Sequence, residues 1–291
     1  MRWNMERNVL AGLFATALLA GCGEFSAVQK SSDYDYRYEV AKANFAEGHY
    51  NRASQLLGDL IAPLKGTQYG EESLFLLAQS CFMHHDYESA STFFRKYYQS
   101  YPKGEYVEQA RYGCGYSLYK MTPDARLDQS STMEAITEFQ NFLDLYPQTS
   151  LREQTTHMVY ALQDKLVEKE LLAAKLYYDL GSYVGNMSYG GSNYEACVVT
   201  AENALKDYPY ASSERREEFA VMIVRAKYHL AMKSVEEKRM ERFRDAVDEC
   251  YAFRNDYPES RYLREVNAML SHAEDIVKKK HIPLEETDGG E

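Results

Sequence analysis

Apolar and polar positions along this chain follow a helical period, and the pattern recurs. Five segments open on an aromatic residue or Thr followed three positions later by a small residue: Tyr50/Ala53, Tyr87/Ala90, Thr132/Ala135, Tyr194/Cys197 and Phe243/Ala246. In the last four, a Pro stands fifteen positions after the first member, at Pro102, Pro147, Pro209 and Pro258. Each of these prolines follows a Tyr: Tyr101, Tyr146, Tyr208 and Tyr257. The first segment reads Leu64-Lys65-Gly66 in place of that Tyr-Pro. Fifteen residues make about four helical turns. An aromatic and a small residue one turn apart share a face, and the small one admits a close neighbour. Pro then ends the helix, because it lacks an N–H and disfavours helical backbone in the residue before it.

A second helical stretch precedes each such segment, separated from it by a turn such as Glu47-Gly48-His49, His84-His85-Asp86 or Gly190-Gly191-Ser192-Asn193. The spacing predicts helix pairs at 35–47 with 50–64, 70–84 with 87–101, 105–121 with 129–146, 150–181 with 193–208, and 212–236 with 240–257. A last helix over 260–280 is expected to close the stack, with Arg264, Glu265, Glu274, Asp275 and Lys278 on its polar face. Strand signals are nearly absent. The pattern resembles the tetratricopeptide repeat (TPR), and the fold class expected is an all-α TPR α-solenoid of about five helical hairpins plus a capping helix. Such a unit leaves one apolar side unfinished and buries it only by stacking.

The start of the chain changes the picture. Arg2 and Arg7 precede a short apolar run from Val9 to Ala20, which ends Leu19-Ala20-Gly21-Cys22. The run is too short for a membrane-spanning helix of about 20 residues. A basic start, a short apolar core and small residues before a Cys describe a signal peptide ending in a bacterial lipobox. The expected organisation is therefore a signal peptide at 1–21, a lipidated tether at 22–33, the TPR stack at 34–280, and a disordered tail at 281–291. Cys22 is the expected lipidation site, and its covalent lipid the one prosthetic group; no cofactor is expected. Gly23 is not an acidic inner-membrane retention signal and no dense acidic run follows Cys22. These features place the protein on the outer membrane, lipid-anchored and facing the periplasm.

The formal net charge is −11, and loss of Arg2, Arg7 and Glu6 with the signal peptide makes it −12. An acidic surface argues against nucleic acid as a partner. Cys81, Cys114, Cys197 and Cys250 are isolated singletons within apolar-periodic segments, without a CxxC or His/Cys spacing of a metal site. They read as buried small hydrophobes. His84-His85-Asp86 invites comparison with a metal site, but adjacent residues at a helix end diverge, so it reads as a turn. Glu236-Glu237 and Glu285-Glu286 read as solvated faces, and Lys233–Arg244, whose charges alternate in sign, as a solvated helix end, with rim contacts to a partner as the alternative. No GxSxG, HExxH or phosphate-cradling Gly loop is present, so the chain is not expected to be an enzyme.

Three segments carry a family resemblance: Tyr87 to Pro102, Lys165 to Gly181 with its paired Tyr177-Tyr178, and Glu202 to Pro209. Together with the lipobox and the chain length, they resemble the BamD family of outer-membrane assembly lipoproteins over about residues 34–280. The Gly-rich stretch Gly181–Asn193 departs from the better-known members. The resemblance implies a scaffold in the BAM complex. Its C-terminal repeats would bind a BamA-like barrel translocase and other assembly lipoproteins. Its N-terminal repeats would hold the extended C-terminal signal of unfolded outer-membrane β-barrel proteins. Tyr36, Tyr38, Tyr69, Tyr97 and Tyr98 are the candidate peptide-binding residues, since amphipathic Tyr suits such surfaces; filling helix interfaces is their ordinary alternative. Tyr50, Tyr87 and Tyr194 are expected to be structural. Other binding classes remain open at this point: a TPR coordinator of cell-wall synthesis, or a SusD-like glycan-binding lipoprotein.

Overall fold

The structure, a computed structural model, describes residues 25–181 and 192–279. The lipobox with Cys22, residues 182–191 of the Gly-rich stretch, and the tail from 280 lie outside the described residues. After a short helical turn at 25–29 come α1 (Tyr34–Ala46), α2 (Tyr50–Leu60), α3 (Gly70–Met83), α4 (Tyr87–Ser100), α5 (Val107–Met121), α6 (Ser130–Leu145) and α7 (Arg152–Leu180). Then follow α8 (Asn193–Asp207), α9 (Ser213–Met232), α10 (Glu236–Asp256) and α11 (Leu263–Lys279). There is no strand among the described residues. No described helix is long and apolar enough to cross a membrane.

All four Tyr-Pro pairs terminate helices in one way. Tyr101, Tyr146, Tyr208 and Tyr257 sit at φ −128°, −124°, −117° and −129° with ψ of 64–67°. The ring of the following Pro pushes them out of the helical region. Each Tyr N–H still donates to the carbonyl four residues back, at 2.8–3.0 Å, and each Tyr carbonyl accepts from the residue three further on, at 2.9–3.1 Å. The turn is therefore hydrogen-bonded throughout. Asp33, Asp86, Ser192 and Ser212 cap the starts of α1, α4, α8 and α9 by accepting backbone N–H groups at 3.0–3.3 Å.

The chain forms two compact units. The first holds the described residues up to Pro123 together with Gln129–Leu162, and the second holds Asp124–Asp128 and residues from Gln163 on. In the first, successive helices from α1 to α6 pack pairwise, and α1 also touches α3 while α3 touches α5. In the second, α8 to α11 pack successively, and α9 also touches α11. This neighbour-plus-next-neighbour packing is that of stacked TPR-like hairpins, and the fold class is all-α, as the periodicity predicts. The small residues of the repeat all sit in the packed interior: Ala53, Ala90, Ala135, Cys197 and Ala246 are each 0% exposed. In α5, two glycines make room for phenylalanines from both neighbours. A Cβ on Gly113 would lie 2.8 Å from the Phe94 ring, and one on Gly115 would lie 2.7 Å from Phe139.

Two helix boundaries differ from the periodic reading. The helix expected over 50–64 stops at Leu60, and turns ending at Gly66 (φ +82°) follow. Pro63 is the cause, since it disfavours helix at Ala62. The break expected at 237–239 falls instead at Lys233–Val235. There the Ser234 hydroxyl donates to the Leu230 carbonyl at 2.5 Å, competing with the helical pattern. Glu236 and Glu237 then favour a helix start by lying at its positive end.

Candidate functional site

The first unit concentrates aromatic residues along the helices that open its hairpins. Tyr112 and Tyr116 on α5 are one turn apart, so their rings face one another at 5.6 Å with planes 18° apart. Tyr119 continues the row at 6.0 Å from Tyr116, and Phe82 of α3 reaches Tyr116 at 5.4 Å. All four rings are half-buried. Lys120 lies 5.9 Å from the Tyr116 ring. A row of partly exposed rings beside a cation offers stacking and hydrophobic contact, with Lys120 favouring acidic groups nearby. The sequence reading passed over this row. Its signal was the i, i+4, i+7 spacing of Tyr112, Tyr116 and Tyr119, which reads equally as an interior face.

The five tyrosines singled out from the sequence divide differently. Tyr36 is 50% exposed and borders a groove of about 710 Å³ with Phe25, Val28, Val40 and Arg52. Tyr38 is 1% exposed; its hydroxyl donates to Glu72, and its ring lies 4.8 Å from that of half-buried Tyr69. Tyr97 is 0% exposed, donates to Glu71 Oε1 at 2.6 Å and accepts the Tyr106 N–H at 3.0 Å. Tyr98 is buried, sits 3.2 Å from both oxygens of Glu138, and carries the Arg111 guanidinium 4.3 Å above its ring. Tyr38, Tyr97 and Tyr98 thus pack between helices and present little ring surface, the ordinary alternative that the sequence left open for them. Each of their hydroxyls meets a glutamate at the interface edge, which satisfies the one polar atom of an otherwise apolar ring. Of the five, Tyr36 alone presents an exposed ring. Tyr50, Tyr87 and Tyr194 pack at hairpin turns: Tyr50 against Phe45 at 5.5 Å, Tyr87 against Phe82 at 5.3 Å and Tyr194 against Tyr178 at 5.9 Å.

These hydroxyl–carboxylate pairs shape the local electrostatics. Burial and the neighbouring Glu72 hold the Tyr38 phenol above its ordinary value, and burial with donation to Glu71 does the same for Tyr97. Burial pushes the Glu72 carboxyl up, but hydrogen bonds from Tyr38 and Lys42 with the Lys42 charge more than offset it, so its pKa is lowered. Glu71, Glu72 and Glu138 are half-buried and each anchors a tyrosine hydroxyl of a neighbouring helix.

In the second unit, α8, α9 and α10 border a groove of about 550 Å³ whose floor is apolar, formed by Val198, Val199, Leu230 and Ala252. Val199 is 55% exposed. Ion pairs ring the groove: Arg242 with Glu195, and Lys227 with Glu249 and Glu202. Arg242 also donates to Ser234 at 2.7 Å. Part of Lys233–Arg244, read from sequence as a solvated end, thus forms the rim of this groove. A polar rim around an apolar floor is the anatomy of a protein-binding surface.

The four described cysteines are buried, free of disulfides, and burial pushes each thiol up to about 12. Among the described residues one group of potential metal ligands converges, Cys81 with His84 and Asp86; His85 points away to the Tyr87 hydroxyl at 2.8 Å.

No curated protein matches the chain. Residues 31–188, just over half of its length, match the YfiO family, described as an outer membrane lipoprotein. That span covers most of the first unit and the start of the second, including the α5 aromatic row and the two Tyr-Pro turns at Pro102 and Pro147. The chain belongs to the YfiO family of outer membrane lipoproteins.

Proposed function

We propose that this protein is a lipid-anchored periplasmic scaffold of the machinery that assembles β-barrels in the outer membrane. Cys22 carries the lipid, and the helical stack faces the periplasm. The first unit holds extended segments of unfolded barrel proteins against Tyr36 and the Tyr112/Tyr116/Tyr119 row. Stacked, half-buried rings suit this task, because they contribute contact area at low entropic cost and tolerate varied side chains. The second unit binds the barrel-shaped translocase through the ion-pair-rimmed groove above Val199 and Leu230, and other assembly lipoproteins join the same complex. The protein performs no chemistry in this role; it lowers the cost of bringing a substrate and a translocase together. The observation that carries the reading is the family match over residues 31–188.

The test uses the full-length lipoprotein in its own membranes. A photo-crosslinking residue in place of Tyr36 or Tyr119 is expected to give adducts with newly exported barrel proteins. Val199→Glu is expected to weaken co-purification of a large barrel protein by about tenfold or more, equivalent to about 1.4 kcal/mol. Unchanged levels of barrel proteins in the outer membrane after depletion of this protein would refute the proposal.

A further inference from the structure

The turn between α3 and α4 brings three unlike ligand groups together. A ring nitrogen of His84, the Cys81 sulfur and a carboxylate oxygen of Asp86 all lie within 4.8 Å of one another. Cys81 is the inner member, 3% exposed, while His84 is half-buried at the end of α3. The backbone dictates this convergence. The Asp86 N–H donates to the Cys81 carbonyl at 2.9 Å, and the His84 N–H to the Ser80 carbonyl at 3.1 Å. His85 completes the turn at φ +70°, where the corresponding turn of the first repeat places Gly48 at φ +80°. The same hydrogen bonds recur in that first turn, from His49 to the Asn44 carbonyl and from Glu47 to the Ala43 carbonyl. The two turns therefore share a backbone and differ in side chains. Asn44, Glu47 and His49 stand where the second repeat has Cys81, His84 and Asp86.

We propose that Cys81, His84 and Asp86 form a binding site for a divalent metal cation of the zinc class. Sulfur, imidazole and carboxylate together match the ligand preferences of Zn²⁺, and three protein ligands leave a fourth tetrahedral position to water. Zinc with sulfur at about 2.3 Å and nitrogen or oxygen at about 2.0–2.2 Å sets its ligand atoms about 3.3–3.6 Å apart. The present spacing exceeds that by at most about 1.5 Å, so binding requires the three side chains to draw together. His84 also has the support that metal-bound imidazoles need. Its Nε2 lies 3.1 Å from Ser54 Oγ on α2, so Nδ1 is the coordinating nitrogen and Ser54 orients the ring. One Asp86 oxygen already accepts the Ser89 N–H at 3.1 Å as the helix cap, and the other is the metal ligand. On binding, the Cys81 thiol proton leaves to water as the sulfur–metal bond forms; nothing is oxidised or reduced. The ion ties α2, α3 and α4 to one point.

The test takes the purified full-length chain in detergent, strips it with a chelator, and titrates it with Zn²⁺ against a chromophoric competitor and with Co²⁺ by absorption. One Zn²⁺ per chain is expected, and the Co²⁺ form should show a thiolate-to-cobalt charge-transfer band. Cys81→Ser should abolish that band. Asp86→Asn retains a side chain that can cap the helix and should weaken Zn²⁺ binding by about tenfold or more, and Ser54→Ala by about tenfold. Cys114→Ser should change neither readout. If Cys81→Ser does not fold, His84→Gln and Asp86→Asn decide in its place, since both lie at the turn and not in the core. Absence of stoichiometric binding, or binding that survives both Asp86→Asn and His84→Gln undiminished, overturns the proposal.

Discussion

Tyr97→Phe offers a clean measure of what the tyrosine–glutamate pairs contribute. The ring is fully buried and the substitution removes one oxygen, so the cavity cost is small and the effect is polar. Two hydrogen bonds disappear together. The hydroxyl no longer donates to Glu71 Oε1 at 2.6 Å, a charge-assisted bond that contributes about 1.5–3 kcal/mol. It also no longer accepts the Tyr106 N–H at 3.0 Å, which contributes about 0.5–1.5 kcal/mol. Glu71 keeps its bond from the Glu105 N–H at 2.8 Å, so its charge is not stranded. The expected cost is about 2–4 kcal/mol, above the typical single substitution near 1 kcal/mol. Tyr98→Phe is the internal comparison. Its hydroxyl sits at a longer 3.2 Å from Glu138, which Arg95 already holds at 3.0 Å, so about 1 kcal/mol is expected. Urea unfolding followed by far-UV circular dichroism measures both. Native-state hydrogen exchange over residues 34–145 assigns the loss to the first unit, since two units need not unfold together. A cost for Tyr97→Phe below about 1 kcal/mol, or no larger than that for Tyr98→Phe, would refute the reasoning.

Two glycines in helices should respond to Ala with opposite signs, measured as changes in unfolding midpoint. Gly58→Ala meets nothing within 4 Å and should stabilise by about 0.5–1 kcal/mol through helix propensity. Gly115→Ala drives a methyl to 2.7 Å from Phe139 and should destabilise by about 1–3 kcal/mol, outweighing that gain. His229 is enclosed by Tyr178, Tyr194 and Tyr228, with Lys233 and Glu265 as the charges acting on it. Burial and then Lys233 lower its pKa from 6.5. The unfolded chain therefore takes up a proton before the folded one does. The stability this group contributes is present above pH about 6.5 and is lost as pH falls below it. His229→Gln should flatten the slope of stability against pH in that window, as read by thermal unfolding across buffers; an unchanged slope would show that other groups carry it.

Periodicity and the Tyr-Pro motif located the helices of the hairpins among the described residues, because helix spacing and a Pro after Tyr are local constraints that act before any packing exists. The four Tyr-Pro ends, the burial of Ala53, Ala90, Ala135, Cys197 and Ala246, and the reading of Cys81, Cys114, Cys197 and Cys250 as interior residues all follow from such constraints. The stop before Pro63 was also written locally and is visible once the residue ahead of a proline is considered. Other features depended on which helix faces meet. Whether Tyr38, Tyr97 and Tyr98 line a groove or a seam turns on the positions of Glu71, Glu72 and Glu138, which lie up to 40 residues from these tyrosines along the chain. The same holds for the row from Tyr112 to Tyr119, whose spacing fits an interior and a surface alike. Cys81 and His84 lie one turn apart and share a face of α3, whereas Asp86 joins them only through the left-handed turn at His85. Local sequence determined where each helix begins and ends, because those limits depend on neighbours within about a turn. Tertiary packing decided which side chains are spent inside and which remain to meet a partner, because exposure is a property of two surfaces and not of one.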